Sequence, residues 1–275
     1  MKTVVFYAYY ETLTAALNLD YFIKHAISHE EDILFIIIIN DKKCSVPLPD
    51  YKNCIIINRE NNGFDFGAHK CAIEVLKSKH KCSLEDLPFD YYIFMNSSVT
   101  GPFLPLYYPK NLHWSNIFIS KITDKVKLVG TSITVLPHTD DGGYGPKVEG
   151  FCFATDKIGF NILANKNDIF MYHPTKYHVI IYSEYGMTKE IFKHGYSIDC
   201  LLYKYKDIDW SNSKNWPEPN HPSTRNGYDG INIHPFEVVF HKCFWNNPND
   251  NGVAAEYFVK YIEWGKKIQF QYISS

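Results

Sequence analysis

Residues 54–70 read CIIINRENNGFDFGAHK, and they carry the clearest information on how the chain is built. The segment Cys54–Ile57 is apolar and mostly β-branched, which predicts a short buried strand. Gly63 and Gly67 then predict a turn, and the apolar spacing after it predicts a helix at Phe66–His80. A strand that enters a helix through a glycine-bearing turn is an arrangement with which α/β proteins bind phosphates and sugar nucleotides.

The flanking segments alternate between strand and helix patterns. Apolar residues spaced about 3.6 apart predict a helix at Leu13–Ile27. Apolar runs without regular alternation predict strands at Val4–Ala8, Ile33–Ile39 and Tyr91–Met95. Such runs are typical of parallel strands that helices cover on both faces. We therefore expect an α/β fold with a Rossmann-type, mostly parallel central sheet flanked by helices.

The second half of the chain is less regular and predicts a smaller β region. Strands are predicted at Leu128–Leu136 and Val148–Ala154, a flexible loop at Asp140–Gly145, and helices at Ser183–His194 and Ala254–Lys266. The Asn-, Pro- and Gly-rich residues 210–230 predict a long surface loop, and such loops are often binding elements. No repeat or linker interrupts the chain, so we expect one domain over residues 1–275.

The composition narrows the possible functions. The 275 residues are 45% hydrophobic and carry 28 basic and 30 acidic side chains, which argues for a large core and against a nucleic-acid partner. The first 13 residues lack the features of a signal peptide, and the longest apolar run is too short to span a membrane. The seven cysteines are scattered singly, which predicts reduced thiols and a cytoplasmic protein.

Two polar segments are candidates for a binding site. Asp65 lies between two aromatic residues, and its carboxylate either caps the following helix or accepts hydrogen bonds from ligand hydroxyls. Asn96, Ser97 and Ser98 follow the predicted strand Tyr91–Met95, at the end of a parallel strand where α/β proteins bind ligands. Three small hydrogen-bonding side chains suit a hydroxylated ligand, although an ordinary Ser/Asn turn would have the same composition.

The order of these motifs resembles that of glycosyltransferases with the GT-A fold. The closer resemblance is to the rhamnan-synthesis-F-like group, which includes bacterial polysaccharide enzymes and large-virus capsid-glycan enzymes. Besides the NNGFDFG and DYYIFMNSS segments, three further stretches carry it: Lys147–Phe160, Ser183–Leu202 and Asn232–Trp245. The resemblance covers residues 55 to 245, and it rests on the order and spacing of all five motifs.

This resemblance implies an enzyme that moves a sugar from a nucleotide-diphosphate sugar to a hydroxyl of a growing glycan or polysaccharide. Residues 1–105 would bind the nucleotide sugar, and residues 106–275 would bind the acceptor. The implied donor-binding residues are Tyr7, Ala8, Tyr9, Asn62, Gly63, Asp65, Gly67, Asn96, Ser97, Ser98, His234 and Lys242. Glu184 and Tyr144 would contact the acceptor. The large-virus branch would imply UDP-xylose as donor, a capsid glycan as product and the host cytoplasm as location.

One departure from the family pattern concerns the metal. Most GT-A enzymes carry a D-x-D triplet whose carboxylate holds a divalent cation, whereas Asn96–Ser98 here contains no carboxylate. Either the reaction needs no cation, or Mn²⁺ or Mg²⁺ is held by the diphosphate with a distant His234 and Ser98. Without a metal, the leaving group would need other cations, for which Lys242, His241 and protonated His234 are candidates.

An inverting transfer needs a base for the acceptor hydroxyl. Glu149 is the first candidate, because it lies between the flexible loop and a strand on the implied acceptor side. Asp65 is the second, and Glu184 and Glu237 are weaker. Glu149 could equally be an exposed charge at a strand end, and a retaining mechanism would need no base.

Three other functions remain as alternatives. A non-catalytic glycan-binding relative is the most serious, because the D-x-D triplet is absent. A metal hydrolase is disfavoured because the spaced histidines, such as His173 and His178, occur without an HExxH motif. A nucleotidyltransferase would show a glycine-rich, basic loop near the start of the chain, which this sequence lacks.

Overall fold

The structure, a computed structural model, describes residues 1–29, 32–41, 43–166, 168–242 and 260–265. Its strands are β1 (Thr3–Tyr10), β2 (Ile33–Asn40), β3 (Cys54–Arg59), β4 (Tyr91–Asn96), β5 (Val99–Thr100), β6 (Val126–Gly130), β7 (Ile133–Leu136), β8 (Gly145–Val148), β9 (Cys152–Asp156), β10 (Ser197–Cys200) and β11 (His241–Lys242). Its α-helices are α1 (Leu13–His25), α2 (Phe64–His80), α3 (Ser115–Ile119), α4 (Lys157–Asn165), α5 (Lys176–His178), α6 (Tyr185–Lys193) and α7 (Pro235–Val238).

Within these residues, seven strands form one central sheet in the order β10-β6-β9-β4-β1-β2-β3. Neighbouring strands run parallel except at β9, which is antiparallel to both β4 and β6. Two small antiparallel sheets, β5 with β11 and β7 with β8, lie outside it. The predicted α/β fold, with a mostly parallel sheet, flanking helices and a smaller β region, is confirmed.

The central strands are apolar on both faces because each face meets a separate core. In β1, Val4 and Phe6 contribute to one buried cluster, together with residues of α2, α4 and α6. Val5 and Tyr7 contribute to the other, together with residues of α1 and α3. Each fully buried large apolar side chain contributes about 1.5–3 kcal/mol, so these two clusters dominate the stability of the sheet.

The turn into α2 requires both of its glycines. Gly63 has a φ of 78°, and a Cβ there would lie 2.6 Å from the Cα of Tyr172. A Cβ on Gly67 would lie 2.3 Å from the carbonyl oxygen of Asn62. These contacts leave no room for a side chain, so the glycines hold the turn close to the rest of the fold. The helix begins at Phe64, two residues before its predicted start.

Two predicted strands in the second half are wrong as single elements. The segment Leu128–Leu136 divides into β6 and β7, because the chain leaves the central sheet at Thr131 and Ser132 and pairs with β8. The segment Val148–Ala154 likewise divides into β8 and β9, with residues 149–151 between them. Both breaks fall where a glycine and polar residues interrupt the apolar run, at residues 130–132 and at residues 149–150. The second break places Glu149 at the edge of the central sheet.

The predicted helix Ser183–His194 is confirmed as α6 and ends before Gly195, which has the expected positive φ of 79°. A π-helical segment, Val179–Glu184, precedes it. Helix α4 and strand β10 were not predicted. For α4 the sequence does contain a start signal, because Asp156 caps the helix by accepting a hydrogen bond from the amide of Gly159 at 2.9 Å. Residues 260–265 are helical, and the rest of the predicted helix Ala254–Lys266 lies outside the described residues. Cys243 and Trp245 also lie outside the described residues. None of the described helices is long and apolar enough to cross a membrane.

Candidate functional site

Polar side chains gather where the parallel strands of the central sheet end. Strands β1, β2 and β4 run side by side, with Ala8 level with both Ile38 and Asn96. The antiparallel strand β9 begins at this same edge, where the amide of Asn96 donates a hydrogen bond to the carbonyl oxygen of Phe151 at 3.1 Å. Residues that follow β4 therefore lie beside residues that precede β9, although about 50 positions separate them along the chain.

A hydrogen-bond network joins the two polar segments that the sequence singles out. The side-chain amide of Asn96 donates to Asp65 Oδ2 at 2.7 Å, and Asp65 Oδ1 accepts from the amide of Phe66 at 3.0 Å. Asn96 Oδ1 in turn accepts from both the amide and the hydroxyl of Ser98, at 3.0 and 2.5 Å. Asn18 holds the intervening residue by donating to the carbonyl oxygen of Ser97 at 2.9 Å. The N-cap of α2 is Gly63, so Asp65 lies within the first turn and connects the helix to β4.

Glu149 lies inside the protein, with a side chain only 2% exposed. Its Oε1 accepts a hydrogen bond from the hydroxyl of Thr134 at 2.5 Å, and its Oε2 lies 3.2 Å from Lys147 Nζ. His221 Nε2 is 3.9 Å from Oε1. Burial alone would raise the pKa of this carboxyl, but Lys147, His221 and the Thr134 hydrogen bond hold it below its usual range. Glu149 is therefore a buried, fully engaged carboxylate and not an exposed strand-end charge.

Glu184 shares the same lysine but reaches solvent. Its Oε2 lies 3.5 Å from Lys147 Nζ, and its side chain is 21% exposed. It is the last residue of the π-helical segment, and it lies across Gly150, where a Cβ would be 2.7 Å from Glu184 Cγ. Burial raises the pKa of Glu184, and Lys147 opposes that shift. Two neighbouring carboxyls thus have pKa values shifted in opposite directions, an arrangement that assigns acid and base roles in many active sites.

Lys242, which lies near the other end of the chain, interacts with the carboxylates of Glu149, Glu184 and Asp65. Strand β11 pairs with β5, which brings Lys242 level with Val99, just after the Asn96–Ser98 turn. Its Nζ lies 4.6 Å from the centre of the Phe151 ring. Burial lowers the pKa of Lys242, and attraction to Glu149, Glu184 and Asp65 opposes the shift. The charged cluster therefore consists of Asp65, Lys147, Glu149, Glu184 and Lys242.

Several residues expected to contact the donor lie at the edge of this cluster or inside the core. Asn62 and Gly63 lie in the turn before α2, and Gly67 lies in the first turn of that helix. The Arg59 guanidinium donates to the carbonyl oxygen of Asn62. Ala8 is buried within β1. The ring of Tyr7 packs 4.5 Å from that of Phe22, and the hydroxyl of Tyr9 donates to Glu11 at 2.7 Å. The two tyrosine rings therefore take part in core packing.

The remaining predicted residues lie elsewhere. Tyr144 stacks on His138 in the loop before β8, with ring centres 4.2 Å apart. His234 is exposed and caps α7, because its Nδ1 accepts from the amide of Phe236 at 3.2 Å. Glu237 accepts from the hydroxyl of Tyr228 at 2.6 Å and from the amide of Tyr203 at 2.8 Å. Glu237 thus ties the long loop to α7.

The Asn96–Ser98 triplet is a poor fit for a divalent cation. The carbonyl oxygen of the Asn96 side chain already accepts two hydrogen bonds, and the neighbouring Asp65 carboxylate accepts one on each oxygen. Hard cations prefer several available carboxylate or carbonyl oxygens. Among the described residues, no three His, Cys, Asp or Glu side chains gather as a metal group. Six of the cysteines are free thiols, and Cys243 falls outside the described ranges.

Three residues of the site were missed by sequence reasoning. Lys147 is the counter-ion of both Glu149 and Glu184, Thr134 donates to Glu149, and His221 lies in the long loop predicted from composition. The spacing of Lys147 and Glu149 was an available signal, because residues two apart along a strand point to the same face. Thr134 and His221 carry no such signal, since only tertiary folding brings them together.

Comparison with known proteins matches this chain to solved structures and to no protein family. No protein-family model and no curated protein matches it. Among solved structures, it is similar to the mannosyltransferase PcManGT from Pyrobaculum calidifontis in complex with GDP-Man and Mn²⁺, with a TM-score of 0.45 and 11% sequence identity. The alignment covers 72% of this chain and 54% of that one, so the chain spans about half the length of that structure.

Proposed function

We propose that this protein is a glycosyltransferase that moves a sugar from a nucleotide-diphosphate sugar to a hydroxyl of a growing glycan or polysaccharide. The observation that carries the proposal is the charged cluster at the carboxyl edge of the sheet. Sugar transfer releases a nucleoside diphosphate and deprotonates a hydroxyl, so it needs cations and a carboxylate close together. Lys147 and Lys242 are the cations of the cluster, and Asp65, Glu149 and Glu184 are its carboxylates.

On the donor side, the proposal uses the network of Asp65, Asn96 and Ser98. Its oxygens and hydroxyl lie at the end of β4, where a sugar with several hydroxyl groups can exchange hydrogen bonds with them. Gly63 before α2 and Gly67 in its first turn carry no side chains. The internal hydrogen bonds order these three side chains before a sugar binds.

On the acceptor side, Glu184 is better suited than Glu149 to act as the base. A base must contact the hydroxyl whose proton it takes, and the oxygens of Glu149 are occupied by Thr134 and Lys147 within the protein. Glu184 is partly exposed, and its raised pKa favours proton uptake. In the proposed step, the acceptor oxygen forms a bond to the anomeric carbon, and its proton passes to the Glu184 carboxylate. The bond from the anomeric carbon to the phosphate oxygen breaks, and its electron pair stays on the diphosphate.

Glu149 then has a positioning role in this mechanism. Its carboxylate fixes the ammonium group of Lys147, which lies 3.5 Å from Glu184. Three parts of the proposal rest on the sequence resemblance alone. They are inversion of configuration, a pentose donor such as UDP-xylose and a viral capsid glycan as product. The division into a donor half, residues 1–105, and an acceptor half, residues 106–275, has the same basis.

A non-catalytic glycan-binding protein is the second candidate, favoured by the absence of a carboxylate from Asn96–Ser98. The two candidates differ in their response to nucleotide sugars. The test is a thermal-shift panel of UDP-, GDP- and TDP-sugars on the full chain, with Mn²⁺ or with EDTA, followed by transfer assays with the sugars that bind. A ligand at 100 times its dissociation constant adds about 2.7 kcal/mol of stability. A shift and transfer with one sugar would support the enzyme, whereas binding only to free oligosaccharides would support the second candidate.

A further inference from the structure

A polar cavity lies next to the charged cluster, between the end of β6, the long loop and β11. It is partly open to solvent. Arg225 and Lys242 line it together with the hydroxyl residues Thr131, Ser132, Ser223 and Thr224. No carboxylate is among the described residues that line it. Two cations and several hydroxyl groups without an acidic side chain form a set of donors for an anion.

The walls of the cavity contain hydrogen-bonding groups that the fold does not fully use. Ser132 Oγ and Ser223 Oγ lie 2.9 Å apart, which holds the loop against the end of β6. The hydroxyl of Thr131, a residue only 1% exposed, has no hydrogen-bond partner within the part of the chain that the structure describes. A buried hydroxyl without a partner is costly, and a ligand or ordered water in the cavity would remove that cost.

Lys242 connects the cavity with the charged cluster. It lines the cavity, and it also interacts with Asp65, Glu149 and Glu184. Its strand partner Val99 follows directly after the Asn96–Ser98 turn. An anion held by Lys242 would therefore lie beside both the donor-side network and the proposed base, which is where a leaving group must be.

We infer that this cavity binds the diphosphate of the nucleotide sugar, with Lys242 and Arg225 as its counter-ions in place of a divalent cation. The inference rests on the proposed function. As the anomeric carbon–oxygen bond breaks, the electron pair remains on the phosphate oxygen, and Lys242 stabilises the charge that develops there. Arg225, which is exposed at the mouth of the cavity, holds the second phosphate. The Asp65–Asn96–Ser98 network keeps its internal hydrogen bonds and contributes no metal ligand.

The test measures binding of inorganic pyrophosphate and of UDP and GDP to the full chain by calorimetry, in EDTA and in Mn²⁺. We expect binding in EDTA. Arg225→Gln should weaken it about tenfold, the loss of one charge-assisted hydrogen bond worth about 1.4 kcal/mol. Lys242→Met should weaken it more, and Lys242→Arg should restore part of the affinity. Lys110→Met is the matched control, because Lys110 is an exposed lysine outside the cavity, and it should bind like the parent protein.

The outcomes separate the inference from the proposed function. Binding that requires Mn²⁺, or that Arg225→Gln and Lys242→Met leave unchanged, would overturn the inference while leaving sugar transfer intact. Failure to bind any nucleotide or nucleotide sugar in either buffer would overturn both. Lys242→Met removes a cation beside three carboxylates and could unfold the chain. Arg225→Gln changes an exposed residue, so it keeps the test decisive in that case.

Discussion

The ammonium group of Lys147 and the carboxylate of Glu149 form an ion pair of 3.2 Å that is almost completely removed from water, with side chains 6% and 2% exposed. The two residues lie on the same side of the chain, at the end of β8 and just after it. Burying two charges costs several kcal/mol, and here their mutual attraction and the Thr134 hydroxyl offset that cost. The pair fixes the ammonium group of Lys147, which is also the counter-ion of the neighbouring Glu184.

Removing one partner of this pair should destabilise the protein strongly. Lys147→Met leaves the buried carboxylate of Glu149 and the partly exposed carboxylate of Glu184 without their cation, and we expect a loss of about 3–5 kcal/mol in the free energy of unfolding. Chemical denaturation measures this loss. The control is Lys193→Met, because Lys193 pairs with Glu190 through a side chain that is 69% exposed, and it should cost less than about 1 kcal/mol. Equal effects for the two variants would contradict a buried, coupled pair.

Glu184→Gln should abolish most of the transfer activity without loss of donor binding. The amide cannot take the proton of the acceptor hydroxyl, so turnover should fall by about 100-fold or more. Donor-induced thermal shifts should stay close to those of the parent protein, since Glu184 lies on the acceptor side of the proposal. Glu149→Gln is the comparison, and it should lower the melting temperature as well as the activity.

The pH dependence of transfer gives Glu184 a second test. Burial raises the pKa of this carboxyl, and the charged groups that face it are Lys147, Glu149, Asp65 and Lys242. In the proposed mechanism the carboxylate form is the base, so turnover should fall as the pH drops through this raised pKa. The acid limb of the profile should therefore lie above the range of an ordinary glutamate. A profile with no acid limb above that range would exclude Glu184 as the base.

Asp65→Asn tests the donor-side network. One carboxylate oxygen accepts from Asn96 and the other from the amide of Phe66, so the variant weakens a charge-assisted hydrogen bond without changing size. We expect affinity for the nucleotide sugar to fall about tenfold, which corresponds to about 1.4 kcal/mol. Calorimetry measures the affinity, and thermal unfolding measures stability. Lower stability with unchanged affinity and turnover would leave Asp65 with a purely structural role.

His69 should make the stability of the protein sensitive to acid. Its ring is completely buried among Phe6, Phe66, Phe94 and Phe170, and burial lowers its pKa to about 3. The unfolded chain binds a proton on this residue below about pH 6.5 and the folded chain does not. Stability contributed by the neutral ring is therefore complete above that pH and declines as the pH falls from about 6.5 toward 3.

Denaturation at several pH values checks this expectation. His69→Leu should remove up to about 1.4 kcal/mol per pH unit from the slope of stability between pH 6 and 4. His80→Leu, at the exposed end of the same helix, is the control for the loss of a histidine. The slope that remains should include His113 and His241, because burial lowers the pKa of each to about 4. An unchanged slope in His69→Leu would contradict the neutral buried ring.

The first half of the fold followed from the sequence because its signals are local. Apolar runs such as Ile33–Ile39 and the glycines at 63 and 67 determine strands and a turn without long-range information. The second half depends on which sheet a strand joins. Gly130, Thr131 and Ser132 mark an interruption within Leu128–Leu136, but they do not show that the chain then joins another sheet. Motif order singled out Asp65, Asn96, Glu149, Glu184 and Lys242, and the structure brings them together. Glu149 is more deeply buried than Glu184, and the sequence does not show this difference, because it depends on the tertiary contacts with Thr134 and Lys147.

The π-helical segment before α6 has a consequence for how Glu184 is oriented. A π-turn contains one more residue than an α-turn, and each residue of a helix rotates the side-chain direction by about 100°. Deleting one residue from Val179–Ser183 would restore regular helical winding and rotate Glu184 by about 100° relative to α5, the helix before the segment. The extra residue of the π-helical segment therefore sets the orientation of α5 relative to the helix that presents Glu184 to Lys147.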